Sequence, residues 1–212
     1  MQPSRPQILQ THESISRPYV IPMEALGEKF VFTLTNHFPS RETCQPFFES
    51  FLLGVHPIVP VCHIPTLRQQ YDDFWSDVCP SYSVESLTLV LAVLYTGAAN
   101  ATQVDMLNSS TLLRLYEEIF CMVDFSSYHA RNITASIQLL QGYTIMNTYK
   151  AGHLAPFSAF GFLPQVIRFA QSLRLHVEKK TGDTVEVEVR RRIWWHLLFI
   201  DVESTSKDNR LF

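Results

Sequence analysis

Leu, Ile, Phe and Val recur along this chain at helical spacing, which points to helices rather than hairpins. Within residues 66–78, Leu67, Tyr71, Phe74, Trp75 and Val78 stand at i, i+4, i+7, i+8 and i+11 and predict an amphipathic helix. Over residues 84–99, Leu87, Leu89, Val90, Leu91, Val93 and Leu94 cover nearly the whole circumference. A helix apolar all round belongs in the centre of a bundle, and Ser83 is its expected N-cap. A helix over 111–125 turns Leu112, Leu115, Tyr116, Ile119, Phe120 and Val123 inward, with Asn108-Ser109-Ser110 expected as a cap and turn before it. Another is expected over 133–150, ending at Gly152. The next, over 157–173, has Leu163, Val166, Ile167, Ala170 and Leu173 inward, and Pro164 either kinks it or marks its first turn. Thr181-Gly182-Asp183 then turns the chain into a last helix. There Ile193, Trp194, Leu197, Leu198 and Asp201 are expected to share one face, with Arg191 and Arg192 pointing away. Trp194 is the expected core anchor, because two adjacent tryptophans bury a large area.

The first 40 residues read differently. Pro3, Pro6, Pro18, Pro22 and Pro39 alternate with Ser, Thr, His and Gln, the pattern of a linker or extended arm with room for a short helix over 23–34. Pro46 is then expected in the first turn of a helix whose Phe47, Phe48, Phe51 and Leu52 form an apolar face, stopped by Gly54 and Pro57. Three prolines within nine residues, Pro57, Pro60 and Pro65, forbid a helix and predict a stiff, extended segment. The fold class is therefore all-α, an irregular multi-helix bundle with a proline-rich N-terminal arm. The expected boundaries are 1–40 for the arm and 41–212 for the helical domain.

Composition narrows the picture. With 46% hydrophobic and 17% charged residues in 212, the chain can bury a sizeable core. A net charge of −3 argues against nucleic-acid binding through the overall field. No apolar leader opens the chain, and its longest apolar runs fall short of the roughly 20 residues of a membrane span, so a soluble intracellular chain without membrane contact is expected. Cys44, Cys62, Cys79 and Cys121 contain no close-spaced pair of the kind a structural zinc site needs, and read as buried, reduced thiols.

Candidate chemistry is sparse. His56, Cys62 and His63 suggest a metal site, but adjacent residues rarely reach one metal, and histidines bonded to backbone in a proline-rich turn are the simpler reading. Cys121 lies within an apolar helix rather than at an exposed elbow. Asp72-Asp73 and Glu117-Glu118 are helix neighbours about 100° apart, so neither is a dyad. Arg190, Arg191 and Arg192 spread over about 200° of the helix, and Glu186 and Glu188 each stand four residues before an arginine. That favours local ion pairs over a nucleic-acid stripe. No catalytic, cofactor-binding or metal residue is assigned.

Four strings carry a resemblance. Arg190-Arg191-Arg192-Ile193-Trp194-Trp195, with Asp201 beyond, resembles the RRRxWW…D signature of the fungal-specific transcription factor domain, the middle homology region found downstream of zinc binuclear-cluster modules. His56-Pro57-Ile58, Pro60, His63 and Pro65-Thr66-Leu67 resemble its opening turn. Gln138-Leu139-Leu140-Gln141-Gly142-Tyr143 is similar to its "LLq.y" helix. Phe169-Ala170-Gln171-Ser172-Leu173-Arg174-Leu175-His176 is similar to "lAqsLgLH", with Arg174 replacing the usual Gly and putting the tight helix end there in question. Asn209-Arg210-Leu211 stands where the family carries Gly-Arg-Pro. The resemblance covers residues 44–212. It implies a nuclear regulatory or interaction domain, not an enzyme, with partners in the transcription machinery or a paralogue, or a small-molecule effector. Zinc and DNA contact would belong to a six-cysteine module that these residues lack, and a C-terminally truncated domain is expected. The alternative is an all-helical enzyme or small-molecule-binding protein of another family. Because Trp195 and Phe199 add apolar area beyond one inward stripe, an exposed apolar patch around them is expected.

Overall fold

The computed structural model describes residues 37–76, 83–101, 106–120, 123, 132–153, 163–178 and 182–208. Among them the chain forms α1 (Arg41–Ser50), a π-helical turn (Phe51–Val55), α2 (Ile64–Phe74), α3 (Val84–Asn100), α4 (Met106–Phe120), α5 (Ile133–His153), α6 (Leu163–Ser172) and α7 (Thr184–Asp208), with no strand. The fold class is all-α, as expected. Most of the expected arm, residues 1–36, lies outside the described residues.

The bundle is built around α3. Ser83 caps it, its Oγ accepting from the Ser86 N–H at 3.2 Å. Every residue from Leu87 to Ala98 is buried, and α5, α4 and α1 pack around it. Two glycines allow close approach. A Cβ on Gly97 would lie 1.9 Å from the Phe47 carbonyl oxygen of α1, and one on Gly142 of α5 would lie 2.9 Å from that of Thr88. The hydroxyls in this centre bond locally: Thr96 and Thr144 each donate at 2.7 Å to the carbonyl one turn back, on Ala92 and Leu140. Each is buried with its hydrogen bond made, which removes the cost of an unpaired polar group.

Several expectations are corrected. Ser40 caps α1, accepting from the Thr43 N–H at 3.4 Å, so the helix starts before Pro46 and carries it inside. Pro46 is exposed, on a side where water can serve the Glu42 carbonyl that the proline leaves without a partner. Gly54 does not stop the apolar face, which runs on into the π-helical turn with Phe51 and Val55 buried. The proline-rich segment is wound rather than extended. The N–H groups of Ile58 and Val59 both bond the Val55 carbonyl at 3.0 Å, and that of Val61 bonds Val59 at 2.8 Å. Prolines remove donors only at their own positions, and the N–H groups between them still close turns. Helix α2 starts at Ile64 with Pro65 in its first turn; Val78 lies outside the described residues.

Asn108-Ser109-Ser110 lies within α4, which starts at Met106. Ser110 and Thr111 return their hydroxyls to the Leu107 carbonyl at 2.9 and 3.0 Å, a helical alternative to the expected turn. The α4 residues expected inward are buried. Helix α5 runs through Gly152 to His153. The described part of α6 has Pro164 in its first turn. At its end Arg174 takes φ 59°, the left-handed conformation usually left to glycine. The Leu175 N–H bonds the Ala170 carbonyl at 3.0 Å and the Arg174 N–H bonds Gln171 at 2.8 Å, which together are a Schellman closure. The tight helix end survives the loss of the family's glycine.

Candidate functional site

The prolines leave the turn between α1 and α2 rich in carbonyls and poor in N–H donors. Four of its carbonyls are served by side chains. His56 Nε2 bonds the Cys62 carbonyl at 3.0 Å, and since a carbonyl only accepts, that nitrogen carries the proton. From α5, Gln141 donates to Val61 at 2.9 Å in a buried bond. From α7, Arg192 Nη1 donates to Pro60 at 3.1 Å, and His196 Nε2 stands 3.3 Å from the Ile58 carbonyl. Segments up to 138 residues apart in the chain are thus bonded at one turn.

The three arginines divide their work. Glu188 receives Arg192 Nε at 2.6 Å and also pairs with Arg191. The hydrogen bond from Arg192 is the main reason its carboxyl is held below the ordinary value of 4.5. Arg190 pairs with Glu186 at 3.7 Å and donates at 2.6 Å to the Leu173 carbonyl, where the α6 closure begins. Arg191 is exposed, as expected; Arg192 does not point away but reaches across to the turn.

The inward line of α7 also differs from the expected one. Ile193, Leu197 and Ile200, at i, i+4 and i+7, are fully buried. Trp194 is only half-buried at the edge of the core, its ring centroid 5.8 Å from that of His176. Asp201 lies on the exposed side. Trp195, Phe199 and Val202 are 63%, 50% and 63% exposed and repeat the same spacing on another face. The exposed apolar surface expected around Trp195 and Phe199 is present.

A groove of about 360 Å³ runs between the proline turn and the first turns of α7, with His56, Cys62, His63, Val185, Glu188 and Arg192 among its walls. Burial pushes the Cys62 thiol up to about 12, so it stays protonated and is a poor nucleophile. His63 bonds the Thr66 hydroxyl at 2.8 Å rather than backbone. Among the described residues no three His, Cys, Asp or Glu side chains are grouped to hold a metal, and no helix is long and apolar enough to cross a membrane. Pro57 is exposed and Pro60 half-buried in the turn. Cys79 and Cys121 lie outside the described residues.

Sequence reading missed Gln141, the line Ile193–Leu197–Ile200 and Val202. A single amide in the apolar run Leu139-Leu140-Gln141 was the available signal for the first, since a buried amide needs a partner.

Four signature strings meeting in one corner of an all-α bundle define a particular class of domain. The profile described as the fungal specific transcription factor domain matches residues 48–206, and the chain belongs to that family. It is 30% identical over 208 residues to "Transcription factor macR" of Penicillium terrestre, covering 87% of this chain and 24% of that protein. It is 27% identical over 195 residues to "Transcription factor yanR" of Aspergillus niger, covering 82% and 24%. A transcriptional regulatory protein of Schizosaccharomyces pombe is 23% identical over 182 residues, covering 81% and 28%. The chain spans about a quarter of the length of these relatives. No solved structure matches it. These relatives are named as transcription factors or transcriptional regulators.

Proposed function

We propose that this chain works in the nucleus as a regulatory domain that acts by protein contact, without catalysis and without itself holding zinc or DNA. The observation that carries the reading is the α7 stripe of Trp195, Phe199 and Val202. Aromatic side chains exposed in a row are costly to leave in water and suit a protein interface. The arginine triad supports the second half of the reading. Its guanidinium groups are each engaged by Glu186, Glu188 or the carbonyls of Leu173 and Pro60 and point in different directions, rather than arrayed for phosphates. Partners in the transcription machinery or a paralogue fit such a surface.

A reporter assay tests this. Fused to a heterologous DNA-binding module, the chain is expected to change transcription of the reporter. Trp195→Ser with Phe199→Ser should remove that change at equal protein abundance. Undiminished output from the double variant would contradict the reading, as would stoichiometric zinc in the purified chain or a salt-dependent footprint on a defined duplex.

A further inference from the structure

The groove beside the proline turn carries chemistry that the wiring of the turn does not use. Ile64, Pro65, Val185 and Val189 give it apolar walls. Three polar ends of its lining residues make no hydrogen bond with the described residues: Arg192 Nη2, His56 Nδ1 and His63 Nε2. Glu188 is the one carboxylate among the lining residues, and it is held by Arg191 and Arg192, while Arg192, the one arginine of the lining, keeps Nη2 without a partner among the described residues. A volume of about 360 Å³ falls within the range of small-molecule sites, which pair apolar walls with a few polar groups that fix orientation.

We infer that this groove binds an amphipathic organic anion. The apolar body lies along Ile64, Val185 and Val189. Its acidic head, a carboxylate or a comparable group, meets the free Nη2 of the Arg192 guanidinium, and His63, whose Nε2 carries the proton when Nδ1 accepts from the Thr66 hydroxyl, donates a second hydrogen bond. Such a molecule spans the turn and α7, the two elements that Arg192 and His196 already join. The inference stands apart from the α7 stripe and needs no protein partner.

Calorimetric titration of the whole chain with decanoate, decanol and decylammonium, all kept below micelle formation, tests it. Decanoate should saturate one site and bind at least about tenfold more tightly than either control. Val185→Glu, which brings a negative charge to the groove, should weaken decanoate by at least about tenfold, while Val185→Lys should not. Both variants are compared at equal helical content by circular dichroism. Trp195→Ser with Phe199→Ser should leave decanoate binding intact even if the reporter effect is lost. No saturable decanoate binding, equal binding of decylammonium or decanol, full affinity in Val185→Glu, or loss of affinity in the stripe variant would each overturn the inference.

Discussion

Helices α3 and α7 hold the same bundle by different means. Helix α3 is buried around its whole circumference, and its neighbours approach so closely that glycines are required at Gly97 and, opposite it on α5, at Gly142. Helix α7 is fully buried only along Ile193, Leu197 and Ile200, with Val189 and Trp194 partly buried beside that line. Its other contacts are directional: Arg190 to α6, and Arg192 and His196 to the proline turn. Area and shape hold the first, and a few bonds aim the second. A helix held by a few bonds can keep a face exposed to water, and on α7 Trp195, Phe199 and Val202 are exposed along one face. The bulk of the bundle's stability therefore resides at α3, while the face proposed to meet other proteins resides on α7.

Substitutions can break this contrast. The largest loss is expected for Gly97→Ala, because the added methyl meets backbone at Phe47 that cannot swing away. Denaturant unfolding should show a cost of about 3 kcal/mol. On α7, Ile193→Ala should cost about 2–3 kcal/mol, and Trp194→Ala less, because that ring sits half-buried at the edge. The reverse order would restore the tryptophan as the anchor. Arg190→Met keeps the aliphatic stem but loses the charge-assisted bond to Leu173, at a cost of about 1.5–2 kcal/mol. Arg174→Gly should go the other way. It relieves the positive φ and raises stability by about 0.5–1 kcal/mol, less than the full strain because glycine is freer when unfolded.

The smallest effect concerns acid. The Glu188 carboxyl is lowered in the folded state, so its contribution is present above the ordinary value of 4.5 and lost as pH falls through the folded value. The pair is exposed, which limits the contribution to under about 1 kcal/mol. Melting midpoints of the wild-type chain and Glu188→Gln should differ slightly at neutral pH and converge in acid.

The same contrast explains what the sequence disclosed. Helix α3 was legible because one signal, apolar residues on every side behind a capping serine, admits one placement. Helix α7 was partly misread because Ile193, Trp194, Leu197 and Leu198 offer more apolar positions than its inward line uses. Packing chose Ile193, Leu197 and Ile200, and a periodicity cannot announce that choice. The start of α4 was missed because hydroxyls at Ser110 and Thr111 serve a helix as readily as a turn. The candidate site was legible as separate strings but not as a site. Nothing in the string around Pro60 shows that its carbonyl is met by Arg192, since that bond depends on the packing of the whole bundle. The closure at Arg174 was in doubt because its conformation is a backbone property that an arginine adopts only when the surrounding hydrogen bonds hold it.

The central claim is that α7 faces inward through Ile193, Leu197 and Ile200 and outward through Trp195 and Phe199. Thermal melting of Trp195→Ser with Phe199→Ser, run beside light scattering, tests it most directly. The expected result is a cooperative melt within about 1 kcal/mol of the wild-type stability, together with less self-association than the wild-type chain. A large fall in the melting midpoint, of the size expected for Ile193→Ala, would show that the two aromatic residues belong to the core and would contradict the account.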